Sequence, residues 1–193
     1  MKKTLGTFMT VMMITACGGA DETPVASATI DQAAMQQEAA GIAGQFAGTL
    51  LPTLQQAMQE GGAVNGINVC SVQAPLIAQN LSEQSGWQVK RVSLKARNSA
   101  LATPDAWETA VLQEFDQRQQ SGEPAGQINK AELVDGEFRY MQAQPTGPLC
   151  LSCHGTEIAP EVSAALAQHY PMDLATGYLE GQVRGAISLR AQP

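Results

Sequence analysis

Five consecutive residues late in the chain, Cys150-Leu151-Ser152-Cys153-His154, constrain the fold more than any other stretch. Two thiols at this spacing can each add across one vinyl group of the same porphyrin, and a histidine directly after them lies under the ring, where its imidazole can bind iron. The pattern is typical of covalent c-type haem attachment. It predicts one covalent haem c, with Cys150 and Cys153 as attachment sites and His154 as an axial ligand.

The surrounding sequence argues against the two other common uses of Cys-x-x-Cys. A thioredoxin-like pair belongs at the junction of a strand and a helix in a βαβ pattern. Here Gln144-Pro145-Thr146-Gly147-Pro148 precedes the motif, and its two prolines and glycine predict a loop. A closed zinc site needs four ligands, and no second Cys or His pair with ligand spacing occurs in the sequence.

The first 16 residues have the pattern of a bacterial lipoprotein signal peptide. Met1-Lys2-Lys3 is a positive n-region, and residues 4–15 form a mostly apolar stretch that is too short to span a bilayer. Ile14-Thr15-Ala16-Cys17 resembles the junction at which cleavage precedes a cysteine that is then acylated. We therefore predict lipidation at Cys17, a tether over residues 17–29, and an exported, periplasmic, membrane-anchored protein, with an ordinary secretory peptide as the alternative.

Composition agrees with one exported globular domain, which we predict over residues 30–193. The 44% hydrophobic and 15% charged residues are typical of a globular chain. Loss of Lys2 and Lys3 with the signal peptide leaves 9 basic residues against 18 acidic ones. Nucleic acid is excluded as a partner, because binding a phosphate backbone needs a basic face.

One cysteine, Cys70, is left without a role once the other three are assigned. It can be a small buried hydrophobe, or it can bind the second face of the iron. His169 is a second candidate ligand, and an open face that accepts small molecules is a third possibility. The methionines outside the signal peptide are further candidates: Met35, Met58, Met141 and Met172. Met35 and Met58 are the weaker ones, because a methionine in a helical stretch is usually core.

Helical periodicity dominates the first half of the predicted domain. Residues 29–60 place apolar side chains at spacings of four, with Asp31 as a possible cap, Pro52 as a kink or division, and Gly61-Gly62 as the end. Two further helical pieces, 63–69 and 75–84, are predicted to meet at residues 70–74. This would leave Cys70 near a helix end.

The second half mixes strands with shorter helices. Strands are predicted over residues 87–94, 131–134, 137–141 and 183–189, with a two-residue hairpin turn at Asp135-Gly136 and a bulge or close approach at Gly185. A helix starts at Thr103-Pro104-Asp105, and another covers residues 160–169. The fold class predicted from this order is α+β, with helices at the front and an antiparallel sheet.

Several separate stretches carry a resemblance to a known family. They are Asn68-Val69-Cys70-Ser71-Val72-Gln73-Ala74-Pro75, residues 93–98 leading into Pro104-Asp105-Ala106-Trp107-Glu108, the haem motif, residues 170–178 and residues 181–186. In this order they resemble the exported single-haem c-type proteins with a PAS-like fold, a family also found as the haem-sensing input domain of signalling proteins. One departure is that Asn98 is not followed by the expected proline.

The resemblance implies a PAS-like antiparallel sheet and a specific pair of axial ligands. In a studied member of that family, the histidine of the motif and a cysteine from the early segment bind opposite faces of the iron, and the matching residues here are His154 and Cys70. A thiolate donates charge to iron, favours the ferric state and lowers the reduction potential. Release of Cys70 on reduction would open a site for a diatomic ligand.

Three functions are weighed on this basis. The first is a lipid-anchored sensor of redox state or of nitric oxide or carbon monoxide, which would have to pass its signal to another protein. The alternative is a low-potential electron-transfer cytochrome c with a docking partner. A peroxidase-like enzyme, which we do not favour, needs an open face with an acid/base group. The basic residues considered for the haem propionates are Lys95, Arg97 and Arg184.

Overall fold

A helical hairpin opens the part of the chain that the structure, a computed structural model, describes, residues 31–191. The element α1 spans Gln32–Ser85, and the Asp31 side chain caps it by accepting a 3.1 Å hydrogen bond from the backbone N–H of Ala34. Gly61 and Gly62 leave helical geometry and divide α1 into two arms. Because Gly62 has φ +67° and ψ −168°, a conformation that favours glycine, the predicted break at this pair is confirmed.

The two arms of α1 pack antiparallel. Gly66 in the second arm lies so close to Leu54 and Met58 in the first that an added Cβ would sit 3.1 Å from each side chain. Farther from the turn, Ile77 joins Phe46 in one buried cluster. The predicted division at Pro52 does not occur: the exposed proline stays within the helix, where water can satisfy the carbonyl that it leaves unpaired.

Cys70 lies inside the second arm rather than near a helix end. The junction predicted at residues 70–74 is wrong, because helix continues through Pro75 to Ser85. Buried Ala74 and Ile77 hold this stretch against the rest of the protein, and tertiary packing of this kind outweighs the weak local preference to stop.

Four antiparallel strands form one sheet in the order β1-β4-β3-β2. The strands are β1 Trp87–Val92, β2 Asn129–Val134, β3 Glu137–Pro145 and β4 Val183–Ala191. Asp135 and Gly136 connect β2 to β3 with φ values of 52° and 84°, as the predicted two-residue turn requires. The close approach predicted at Gly185 is confirmed, since a Cβ there would collide with the Val92 carbonyl oxygen.

The remaining helices are short except for one. They are α2 Ser99–Ala102, α3 Ala106–Gln120, α4 Pro148–His154 and α5 Pro160–His169, with a 3₁₀ turn at Ala125–Gln127. The predicted start of α3 is confirmed by a capping box, in which Asp105 and Glu108 each accept a 2.8 Å hydrogen bond from the other's backbone N–H.

The sheet lies between α1 and α3. Tyr140 and Leu189 face the cluster built on α1, whereas Met141 and Ala186 face the cluster that contains Phe115 of α3. The predicted α+β class is therefore confirmed. Within residues 31–191, none of the helices is both long and apolar enough to cross a bilayer.

The predictions for the N-terminus lie outside the described residues. These are the signal peptide over residues 1–16, the tether over residues 17–29 and the lipidation of Cys17. They stay predictions, as does the domain boundary at residue 30.

Candidate functional site

The Cys-x-x-Cys-His motif forms most of α4. The loop predicted over residues 144–148 is largely wrong, because β3 runs through Pro145 and α4 begins at Pro148. Proline suits the first turn of a helix, where its missing N–H would have no partner. The motif thus follows a strand and opens a helix, but β3 is antiparallel to both of its neighbours, so there is no βαβ unit at this point.

The fold brings Cys70 to the motif. Cys70, Cys150 and Cys153 are partly buried free thiols. One turn before Cys70, Ile67 packs in the same cluster as Cys153 and the buried face of α5. Burial raises the pKa of Cys70, the Arg91 and Arg97 charges oppose that rise, and Cys150 adds to it, so all these groups lie within electrostatic reach of one another.

The imidazole of His154 is held in one orientation by the backbone. Its Nδ1 lies 2.7 Å from the carbonyl oxygen of Ala175 and 3.0 Å from Nε of Arg184. A carbonyl can only accept, so we assign the ring proton to Nδ1, donating to Ala175; the Arg184 contact is then one between two donors. This tautomer leaves the lone pair on Nε2 free to bind a metal.

The surroundings of His154 keep it neutral. Burial, followed by the charges of Arg184, Arg97 and Arg91, lowers its pKa to about 2, and the hydrogen bond to Ala175 opposes the shift only in part. A neutral imidazole is the form that ligates iron.

Arg97 covers the free nitrogen of His154. Its Nη1 lies 3.4 Å from His154 Nε2, and its Nη2 donates to the carbonyl oxygens of Cys153 and Ala175. Asp173 accepts from the same guanidinium at 3.1 Å. A group bound at Nε2 would therefore displace one guanidinium nitrogen, while the other contacts of Arg97 tie it to the site.

The connection after α5 closes the site from outside. Backbone N–H groups of Gly177 and Tyr178 donate to the carbonyls of Gly155 and His154 at 2.8 and 2.9 Å. The same connection presents the buried Ala175, whose carbonyl orients the imidazole. Sequence reasoning gave Ala175 no role; the one available signal was that it lies in a stretch that carries the family resemblance.

Arg91 is a second residue that sequence reasoning missed. Arg91 lies in β1, and its Nε donates a hydrogen bond to Gln144 Oε1 at 3.2 Å. Burial lowers its pKa, whereas the nearby Cys70 and Tyr170 raise it. Among the described residues, neither Arg91 nor Arg184 has a carboxylate partner.

The other candidate axial ligands lie elsewhere. Met141 is completely buried between the sheet and α3, whereas Met172 is 70% exposed. Met35 lies in α1 and packs against the buried cluster that contains Phe46. Met58 packs against Gly66 near the turn of the hairpin. His169 is exposed at the end of α5.

The residues of this site fit a haem group. They supply an imidazole with a free Nε2, a thiol from α1, and two thiols at thioether spacing. Arg91 and Arg184 provide two uncompensated charges for two propionates. Large exposed apolar side chains that could contact a porphyrin lie near Cys70 and on either side of Asp173 in sequence: Val72, Leu76, Met172 and Leu174.

These features define a class: α+β proteins in which an antiparallel sheet holds a Cys-x-x-Cys-His helix beside a cysteine-bearing helical hairpin. The chain belongs to the Tll0287-like family, whose model matches residues 22–191. The crystal structure of the cyanobacterial heme-protein Tll0287 is similar, with a TM-score of 0.60 and 22% identity, over 81% of this chain and 95% of that one. At 22% identity, this similarity shows that the two chains share a fold. A search of curated proteins found no match.

Proposed function

We propose that this chain is an exported c-type monohaem protein that acts as a sensor of redox state or of a diatomic gas. The observation that carries the proposal is the meeting of Cys70 with the Cys-x-x-Cys-His helix beside a neutral imidazole. Membership of a family with a structurally similar heme-protein supports it. The PAS-like description of the fold is part of the same proposal.

Each site residue has a defined task. The thiols of Cys150 and Cys153 would hold the haem by adding across its two vinyl groups, each forming a C–S bond while the thiol hydrogen moves to carbon. His154 would bind the iron through Nε2, while its Nδ1 keeps the proton and donates a hydrogen bond to the Ala175 carbonyl oxygen. Cys70 would bind the iron through its sulfur; burial raises the pKa of this thiol, and the positive charges of Arg91 and Arg97 oppose that rise. Haem, when bound, supplies an iron that exchanges electrons and binds small ligands.

Sensing is favoured over electron carriage because the two axial residues lie on separate elements. His154 is on α4, whereas Cys70 is on the second arm of α1. A thiolate holds ferric iron more strongly than ferrous iron, so reduction of a haem held by both residues would weaken the link between the two elements. Release of Cys70 would admit nitric oxide or carbon monoxide and free the arm to move, and a partner protein would receive the signal.

The same site can support a low-potential electron-transfer cytochrome c. That alternative requires Cys70 to stay bound in both redox states, since ligand exchange slows electron transfer. A peroxidase-like enzyme would need an open face with an acid/base group. We further propose that the protein is a periplasmic lipoprotein anchored at Cys17, and that its partners are the membrane and a protein rather than nucleic acid.

Haem content and ligation test the central proposal. The full chain, produced in a host that matures cytochromes c, should yield a pyridine haemochrome spectrum of thioether-bound haem, and Cys150→Ala with Cys153→Ala should abolish covalent attachment. In Cys70→Ala, the low-spin signal of thiolate-bound iron should be lost from the ferric EPR spectrum. The adjacent control Ser71→Ala should keep this signal. A colourless protein with free Cys150 and Cys153 would refute the proposal.

Carbon monoxide separates the candidate functions. Rapid binding to the reduced protein, followed by optical spectroscopy, is expected of a sensor whose Cys70 has left the iron. Absence of binding, together with fast reversible electron exchange, would favour the carrier. Peroxide turnover that needs the open face would favour the enzyme.

A further inference from the structure

A polar cleft of about 260 Å³ lies behind the candidate site. It opens between the segment that follows β1, the face of α3, and the chain that leads into β4. Its lining includes Ser93, Lys95, Asp116, Tyr178, Gln182 and Arg184. Tyr178 also stands edge-on to His154 at 6.4 Å between ring centroids, so one wall of the cleft is shared with the site.

Arg184 brings an uncompensated charge into this cleft. The residue is only 8% exposed, and its Nη1 donates to Ser93 Oγ at 3.0 Å and to the Lys95 carbonyl oxygen at 3.3 Å. Among residues 31–191, Nη2 has no acceptor and the guanidinium has no carboxylate partner. A buried cation without a counter-ion is costly, so an anionic group that pairs with it is stabilised.

A second cation lines the same cleft. The ammonium of Lys95 lies 4.3 Å from the centroid of the Tyr178 ring and forms no ion pair within the described part of the chain. Arg184 lies 5.3 Å from the same ring, so the two cations flank one aromatic side chain. Asp116 is the one acidic residue among those that line the cleft. In residues 31–191 it forms no ion pair within 4.0 Å, but the charge of Lys95 reaches it and opposes the rise in its pKa that burial causes.

We propose that this cleft is a carboxylate-binding site, in which Arg184 and Lys95 share one carboxylate and Asp116 excludes ligands with a second negative charge. The carboxylate has two possible sources. One is a small free carboxylate from solution, and the other is a haem propionate, which alone depends on the function proposed above. Either would place a titratable, charged group next to the residue that contacts His154.

Acetate is the probe for the free source. The full chain with its haem is titrated with acetate, and with acetamide as a neutral control of similar size, while NMR shifts and calorimetry are followed. Saturable acetate binding that acetamide does not reproduce is expected, and Lys95→Met and Arg184→Gln should each weaken it about tenfold. Lys130→Met and Arg190→Gln are matched controls, since those residues pair with Glu114 and Glu137 away from the cleft.

Resonance Raman spectroscopy of the same samples tests the propionate source. If a haem propionate fills the cleft, acetate does not bind. The bending mode of the propionate should then shift in Lys95→Met and Arg184→Gln and stay in place in the controls. Lys95→Met keeps the test decisive if Arg184→Gln fails to fold, because Lys95 is a partly exposed residue. Absence of both acetate binding and a Raman shift overturns the proposal. The acetate arm gives its answer even in a preparation without haem, so the two proposals fail separately.

Discussion

Glu108 places a buried negative charge between the sheet and α3, next to the positive charges of Lys90 and Arg139. Its side chain is fully buried and accepts hydrogen bonds from Lys90 at 2.9 Å and from Ser188 at 2.6 Å. Arg139, itself only 6% exposed, lies 3.4 Å away. A buried carboxylate of this kind is tolerated because each of its neighbours is a donor.

Replacing Glu108 by glutamine should destabilise the protein strongly. The change leaves the buried Arg139 without one of its two carboxylate neighbours, and breaking a buried ion pair costs about 3–5 kcal/mol. Urea denaturation measures the free energy of unfolding. The control is Glu137→Gln, whose exposed pair with Arg190 is worth less than about 1 kcal/mol. Equal losses in the two variants would contradict this account of Glu108.

His154 predicts an acid sensitivity of the protein without haem. Its folded-state pKa of about 2 lies below the value of about 6.5 expected in the unfolded chain. A depressed pKa contributes stability above pH 6.5, and this stability is lost as the pH falls. Between pH 7 and pH 5 the loss should be about 2 kcal/mol. Denaturation of the haem-free chain at both pH values measures it, and His154→Gln should remove most of the difference; curves of equal pH dependence would be the opposite result.

At the scale of elements, the hairpin of α1 positions Cys70. Gly61 and Gly62 reverse the chain, so the second arm runs back along the first and carries Cys70 to α4 and α5. The turn depends on a backbone conformation of Gly62 that a residue with a Cβ adopts only at a cost.

Gly62→Ala should therefore destabilise the protein by about 1–3 kcal/mol, the cost of a strained backbone conformation. Gly48→Ala is the matched control: it lies in the first arm, nothing is within 4 Å of its added Cβ, and alanine there should stabilise the helix by up to about 1 kcal/mol. Thermal unfolding distinguishes them. If the haem is bound as proposed above, the visible spectrum of Gly62→Ala should also move toward that of Cys70→Ala, because a displaced arm would withdraw the thiol.

At the scale of the whole molecule, the site is a positive region in an acidic protein. The formal net charge is −7, yet three guanidiniums, those of Arg91, Arg97 and Arg184, act on His154, and among the described residues only Arg97 is paired with a carboxylate, that of Asp173. Positive charge of this kind favours an anionic group at the site. In the haem-bound state proposed above, His154 of α4 and Cys70 of α1 would bind one group, which would then bridge the two elements.

If Cys70 leaves iron on reduction, the bridge opens. Backbone amides of residues 66–76 should then exchange hydrogen about tenfold faster in the ferrous protein than in the same protein after reoxidation to the ferric state. The reason is that local opening of this segment becomes easier when Cys70 is released. Amides in β3 and β4 serve as the internal control and should be unchanged. Hydrogen exchange with mass spectrometry measures both, and a redox difference that persists in Cys70→Ala would contradict the switch.

Local chemistry made much of this protein predictable from sequence. The Cys-x-x-Cys-His motif, the turn at Asp135-Gly136, the capping of α3 by Asp105, and the break at Gly61-Gly62 all depend on residues that are neighbours in the chain. The errors arose at prolines. Pro52 and Pro75 are signals of a helix boundary, but packing of the surrounding helix on the core overrides them.

The sequence by itself determined the Cys-x-x-Cys-His motif and the fold class, because each follows from short-range pattern and residue chemistry. Cys70 was singled out only by the family resemblance, since local pattern left His169 and an open face as alternatives. Only the tertiary structure decided what surrounds His154 and Cys70. Arg91, Arg184 and the Ala175 carbonyl reach His154 and Cys70 from three distant segments, and no local pattern reveals such contacts. They exist because the sheet and the helical hairpin bury these segments together, and burial is a property of the whole fold.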